Sequence, residues 1–115
     1  MTYILLHNPS CSTSRKGLDL LREDGIEPEV RKYMNASEQL SVAELKEIAE
    51  KMGGVSPRAF LRGKDAPSAG IDATSSDEEI FAAMAANPKL IQRPIGIRGK
   101  KAVLGRPPED LLKLA

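Results

Sequence analysis

The 115-residue sequence predicts an α/β fold, on three observations. A short apolar run near the N-terminus leads into a helix-like run and then a second short apolar run, the order strand, helix, strand. Two capping-box patterns, Ser41-Val42-Ala43-Glu44 and Ser76-Asp77-Glu78-Glu79, open helical stretches in the middle of the chain. Two β-rich runs around a glycine turn, followed by a last apolar stretch, close it. The length suits one domain, residues 1–115, with a core of its own.

Taken in order, Tyr3 to Leu6 is apolar and ends at His7-Asn8-Pro9, a buried strand. Ser12 or Thr13 caps a helix running to about Asp24, with Leu18, Leu20 and Leu21 as its apolar positions and Asp24-Gly25 as its stop. Val30 to Tyr33 reads as a second strand. A strand–helix–strand unit of this kind makes a right-handed crossover and a parallel pair. Leu45, Ile48 and Met52 follow the first capping box at helical spacing, and Gly53-Gly54 ends that helix. Ser56 to Leu61 is a short helix with Pro57 at its first position. Residues 63–75 are rich in Gly, Pro, Ser and Asp and read as a loop. Ile80, Phe81 and Met84 face inward after the second capping box, and Asn87-Pro88 ends the run. Pro94 to Ile97 and Lys101 to Leu104, joined by Arg98-Gly99-Lys100, form a hairpin. Arg106-Pro107-Pro108 opens a final helix with Leu111, Leu112 and Leu114 as its apolar positions. The order β-α-β, helices, β-β-α is that of a thioredoxin-like domain with a small mixed sheet and a helical insertion.

Composition narrows the function. Seventeen basic residues against 16 acidic ones offer no global attraction to nucleic acid or an anionic membrane. Aromatic residues are limited to Tyr3, Tyr33, Phe60 and Phe81, too few for a base-stacking platform. No apolar run approaches the ~18 residues of a membrane span, and Tyr3–Leu6 is too short for a signal peptide. One cysteine forms no internal disulfide, which fits a reducing, cytoplasmic compartment. One cysteine and one histidine speak against a metal site. No bound cofactor is expected, and a monomer is.

Cys11 is the most informative residue. It lies between a strand end and a helix start, in His7-Asn8-Pro9-Ser10-Cys11-Ser12-Thr13-Ser14-Arg15. Unpaired N–H groups and the positive end of the helix dipole then favour its thiolate. Such cysteines have pKa values lowered to roughly 3.5–7.5 from about 8.5. Arg15 and Lys16 add positive charge. The same N-terminus binds anions, through the N–H groups of Ser12, Thr13 and Ser14. The competing reading is a small buried hydrophobe, but the polar, small neighbours suit a loop better. His7 reads equally as a base or cation beside the thiol and as a turn residue bonded to backbone.

Three arginines stand at element ends: Arg62 after the short helix, Arg93 before Pro94, and Arg106 after Gly105. A guanidinium suits a tetrahedral oxyanion because its planar fork donates two parallel hydrogen bonds. Singly, each arginine is a surface charge, and the argument rests on the set. With the hairpin beside the first strand, Arg93 comes near Cys11. Arg15, Arg58 and Arg98 compete, Arg58 and Arg98 reading as solvent residues. The bond before Pro94 is trans on the general statistics of proline.

The sequence resembles the arsenate reductases of the glutaredoxin-coupled type, the ArsC family. The segments are the Cys11 loop, Arg58-Ala59-Phe60-Leu61-Arg62, Asn87-Pro88-Lys89-Leu90-Ile91-Gln92-Arg93-Pro94-Ile95 and Gly105-Arg106-Pro107. They occur in family order and cover nearly the whole chain. The resemblance implies a thioredoxin-like fold and Cys11 as nucleophile. It implies Arg62, Arg93 and Arg106 as oxyanion ligands, His7 as an aid in lowering the thiol pKa, and a cis bond before Pro94. It further implies arsenate as substrate, glutathione as co-substrate and glutaredoxin as partner, which agrees with a single cysteine. Regulators of the Spx type, which bind RNA polymerase, share the fold. They carry a Cys-x-x-Cys switch where this chain has Ser14, and lack an equivalent of Arg106. A glutathione-dependent thiol oxidoreductase with another substrate is a third reading.

Overall fold

The first strand, β1 (Tyr3–Leu6), sets the architecture because its side chains alternate between two cores. The computed structural model describes residues 1–115. Tyr3 and Leu5 point to a small cluster completed by Leu21 and Leu111. Leu6 points to the larger core, which gathers Tyr33, Leu45, Ile48, Phe60, Ile80, Met84 and Ile95. Helix α1 (Ser12–Glu23) and the C-terminal turn Pro108–Leu114 pack together over the first face. Helices α2 (Val42–Lys51) and α3 (Asp77–Ala86) cover the second.

Strand β1 is central. It pairs in parallel with β2 (Glu29–Arg31) and antiparallel with β3 (Ile95–Arg98), which pairs antiparallel with β4 (Lys101–Leu104). The order is β2-β1-β3-β4, a mixed sheet with the α1 crossover joining the parallel pair. The hairpin turns at Gly99, whose φ of 63° lies in the left-handed region that glycine enters without penalty. This is the thioredoxin-like arrangement expected from the element order.

Both predicted capping boxes form, with Ser41 and Ser76 accepting the N–H groups of Glu44 and Glu79 while those glutamates reach back. Four features differ from expectation. The N-cap of α1 is Cys11 itself, not Ser12 or Thr13. Strand β2 ends at Arg31, because its carbonyl takes the His7 N–H and the chain then turns through Lys32–Asn35, sending Tyr33 into the core with 0 % exposure. The final apolar stretch is a seven-residue 3-10 segment, Pro108–Leu114, not an α-helix. Short 3-10 turns also form at Pro57–Phe60, where the sequence places a helix, and unforeseen at Ala36–Glu38, Pro67–Ala69 and Pro88–Leu90. Segments this short lack the repeat that marks a helix in sequence.

The bond before Pro94 is cis, as the resemblance implies and against the general proline statistics. The bond before Pro107 is also cis, which no sequence signal announced. The Pro94 ring is packed by backbone from two directions. A Cβ at Gly17 would lie 3.1 Å from Pro94 Cγ and 2.6 Å from Leu111 Cδ1. A Cβ at Gly105 would lie 2.8 Å from Pro94 Cγ and 2.7 Å from Leu111 Cγ. Leu111 is fully buried and Pro94 is a rigid ring, so neither yields easily. Gly105→Ala is therefore expected to cost about 1–3 kcal/mol by overpacking. Urea unfolding measures it, and a midpoint equal to that of the unmutated protein contradicts this account of the packing.

Candidate active site

The register of the sheet assembles the site. Leu6 pairs with Ile95 and Ile95 with Leu104, so continuing the ladders past the strand ends sets the Cys11 loop, Arg93 and Arg106 side by side. Backbone bonds carry the arrangement on: Gly105 N–H donates to the Pro94 carbonyl at 2.8 Å, and Arg106 Nε to the Arg93 carbonyl at 2.9 Å.

The loop after β1 is held by its own polar groups. Asn8 Oδ1 accepts the Ser10 N–H at 3.0 Å, and the Asn8 N–H donates to Ser14 Oγ at 3.1 Å. The Cys11 N–H donates to the Asn8 carbonyl at 3.0 Å, and Arg15 Nη1 clamps the Pro9 carbonyl at 2.8 Å. Cys11, in extended conformation (φ −96°, ψ 122°), heads the helix half-buried.

Two guanidinium groups flank the sulfur. Arg106 Nη2 lies 3.9 Å from Cys11 Sγ. Arg93 is 6 % exposed, and its Nη1 donates to the carbonyls of Lys89 at 3.3 Å and Ile91 at 3.4 Å, while its buried Nε has no protein partner. Burial pushes the Cys11 thiol up. The Ser14 N–H, the Arg93 guanidinium and the Thr13 N–H outweigh it, with the Arg93 charge adding to the effect, so the thiol sits below its ordinary value. The arrangement provides an ionised sulfur with cationic donors around it, a nucleophile and an anion cradle in one place.

Several of the other expected residues have partners of their own. Arg62 pairs with Asp65 at 3.5 Å, and its N–H bonds the Leu90 carbonyl at 2.7 Å. Its segment joins the stretch leading to Arg93 through a bridge between Leu61 and Ile91 and the bond from the Gln92 N–H to the Phe60 carbonyl at 2.8 Å. Arg62 thus braces the arginine-bearing segment through its backbone, and its side chain pairs with an aspartate. Arg15 serves the loop through Pro9, and Ser14, fully buried, accepts the Asn8 N–H on its hydroxyl oxygen and donates its own N–H to the sulfur. Ser12 is exposed on the first turn. His7 is 5 % exposed with an unpartnered Nδ1. Burial lowers its pKa first, and Lys32, Arg22 and Arg15 lower it further, which favours the neutral imidazole. Neither Arg58 nor Arg98 is idle in solvent. Arg58 Nη2 bonds the carbonyls of Asp72 and Ser75, and Arg98 bonds those of Met1 and Leu114.

Sequence reasoning missed Tyr33. Its hydroxyl donates to the Ile91 carbonyl at 3.4 Å, the carbonyl that Arg93 also uses. Burial pushes the phenol up to about 12, Arg93 pulls against that shift, Cys11 raises it and Arg106 lowers it, which places the ring among the site's charges. A tyrosine at the end of a short apolar run carries no signal of this.

Fold and site together define a thioredoxin-like protein built around one helix-capping thiol and two convergent arginines. The chain belongs to the ArsC family, whose profile matches residues 6–114. An arsenate reductase of Haemophilus influenzae is 41% identical over 117 residues, covering 99% of each chain. An arsenate reductase of Neisseria meningitidis is 42% identical over 110 residues, covering 93% of this chain and 92% of the relative. The solved structure of an arsenate reductase from Vibrio cholerae superimposes with a TM-score of 0.90 at 42% identity, covering 100% of this chain and 98% of that one.

Two measurements check the electrostatics. Iodoacetamide alkylation of Cys11 across pH is expected to show a midpoint below the free-thiol value of about 8.5. Arg93→Lys is expected to raise that midpoint, since an ammonium lacks the guanidinium fork; an unchanged midpoint removes Arg93 from the account. His7, the only histidine, is expected to titrate by NMR below about 6.5. The unfolded chain then takes up that proton before the native one does, so stability falls as pH drops below about 6.5. A histidine titrating at or above that value contradicts the burial argument.

Proposed function

We propose that this protein reduces arsenate to arsenite, with glutathione and glutaredoxin supplying the electrons. The observation that carries the reading is the Cys11 sulfur at the N-terminus of α1, with Arg106 Nη2 3.9 Å away and the buried Arg93 beside it. Membership of the ArsC family and the arsenate reductases among its relatives support it.

Arsenate carries two negative charges near neutral pH and would be repelled by a bare thiolate. The guanidinium groups of Arg93 and Arg106 and the N–H groups of Thr13 and Ser14 neutralise and orient it, leaving arsenic facing Cys11. The Cys11 thiolate attacks arsenic, and one oxygen leaves as water after taking up protons, giving a thiolate–arsenic bond with arsenic still at +5. The thiol of glutathione displaces a second oxygen, again as water. The glutaredoxin thiolate then attacks the glutathione sulfur. The sulfur–arsenic bond breaks with its electron pair left on arsenic, which becomes +3, and a glutaredoxin–glutathione disulfide forms. Hydrolysis releases arsenite and restores the Cys11 thiolate. Two thiols have become one disulfide, one net water has left, and two electrons have passed to arsenic.

An outside thiol is required by arithmetic. The reduction consumes two thiols, and the chain has one cysteine. Phosphate has nearly the shape and charge of arsenate, so discrimination lies in the chemistry at arsenic more than in binding.

The test is an arsenite-production assay with glutathione and glutaredoxin, each omitted in turn. Turnover is expected only with both. Cys11→Ser, nearly isosteric, is expected to fold normally and to abolish turnover; arsenite formed by that variant would refute the assignment.

A further inference from the structure

We infer that Tyr33 is a positioning residue of the cationic pocket, holding the Ile91 carbonyl where it fixes the Arg93 guanidinium against the Cys11 sulfur. This rests on the reading of Cys11 as a reactive thiolate. The geometry is a triangle on one acceptor: Tyr33 Oη and Arg93 Nη1 each donate to the Ile91 carbonyl oxygen at 3.4 Å. Tyr33 is 0 % exposed and Arg93 6 % exposed, so water does not compete freely for these bonds. The same Ile91 sits in the bridge with Leu61, so its carbonyl belongs to a segment already held from the other side. The hydroxyl is the one polar atom of the Tyr33 side chain, whose ring belongs to the larger core.

A phenol suits the task because it stays neutral. With its pKa pushed up to about 12 by burial, Tyr33 keeps its proton throughout the working range and donates without becoming a rival anion for the arginines. A carboxylate in the same place would pair with Arg93 and occupy it. Tyr33 has no exposed surface, so its action passes through Arg93.

The test is Tyr33→Phe, which keeps the ring and removes the hydroxyl, read by two assays that need no arsenate. The alkylation midpoint of Cys11 is expected to rise by roughly half to one pH unit, the size of one neutral hydrogen bond passed on through Arg93. The inorganic phosphate concentration that half-protects Cys11 from iodoacetamide is expected to rise about three- to tenfold. In an Arg93→Lys background the same substitution is expected to add little, because its route has gone. Tyr33→Met, a second variant in case the first folds poorly, is expected to shift the midpoint in the same direction. A folded Tyr33→Phe with unchanged midpoint and phosphate protection overturns the inference, as does a full-sized shift that persists with Lys at position 93. A native protein whose own midpoint is that of a free thiol overturns the reading of the site beneath it, a separate failure.

Discussion

Antiparallel pairing of β3 with β1 is the constraint from which the rest of the site follows. With Leu6 opposite Ile95, the residues just before β3 must lie beside the loop that leaves β1. With Ile95 opposite Leu104, the residues just after β4 must lie beside those before β3. Cys11, Arg93 and Arg106 are far apart in the chain, yet ladder bonds that serve the whole sheet settle their meeting. A slip of one residue would turn Arg93 to the other face and separate it from the sulfur. The packing of Gly17 and Gly105 against Pro94 and Leu111 guards the same register, because the two backbones approach where no side chain fits.

Within that frame the electrostatics are a contest between burial and donors. Burial alone would keep the thiol protonated and the two tyrosines and the histidine neutral. Of these four groups, only at Cys11 do helix N–H groups and a guanidinium outweigh it. At Tyr3, Tyr33 and His7 burial wins, so these groups stay uncharged around a charged centre. Neutral, buried surroundings strengthen the field of the arginines at the sulfur, since little solvent remains to screen it.

Much of this was legible beforehand for stated reasons. The capping boxes at Ser41 and Ser76 and the hairpin around Gly99 carry their own local chemistry, so both emerged as read. The proximity of Arg93 to Cys11 followed from strand order. Arg106 opposite Arg93 depended on register, which short β runs do not encode. Arg62 stood with the oxyanion ligands by resemblance, but Asp65, three residues on, holds its side chain; a local ion pair is not visible as a competitor in a motif. The neutral state of His7 and the place of Tyr33 both arise from burial by distant segments, which a linear reading does not supply. The 3-10 turns escaped because three to seven residues are too few to show a period.

The arginines beside Cys11 come from the far end of the chain, and the N–H groups converge on the sulfur only when α1 is wound. The sulfur's acidity is therefore a property of the finished fold, not of the local peptide. A nascent or partly opened chain carries an ordinary, sluggish thiol, slow to meet stray oxidants and electrophiles. Chemical vulnerability at this atom is thus postponed until the machinery that directs it is complete, and it vanishes again when the molecule comes apart.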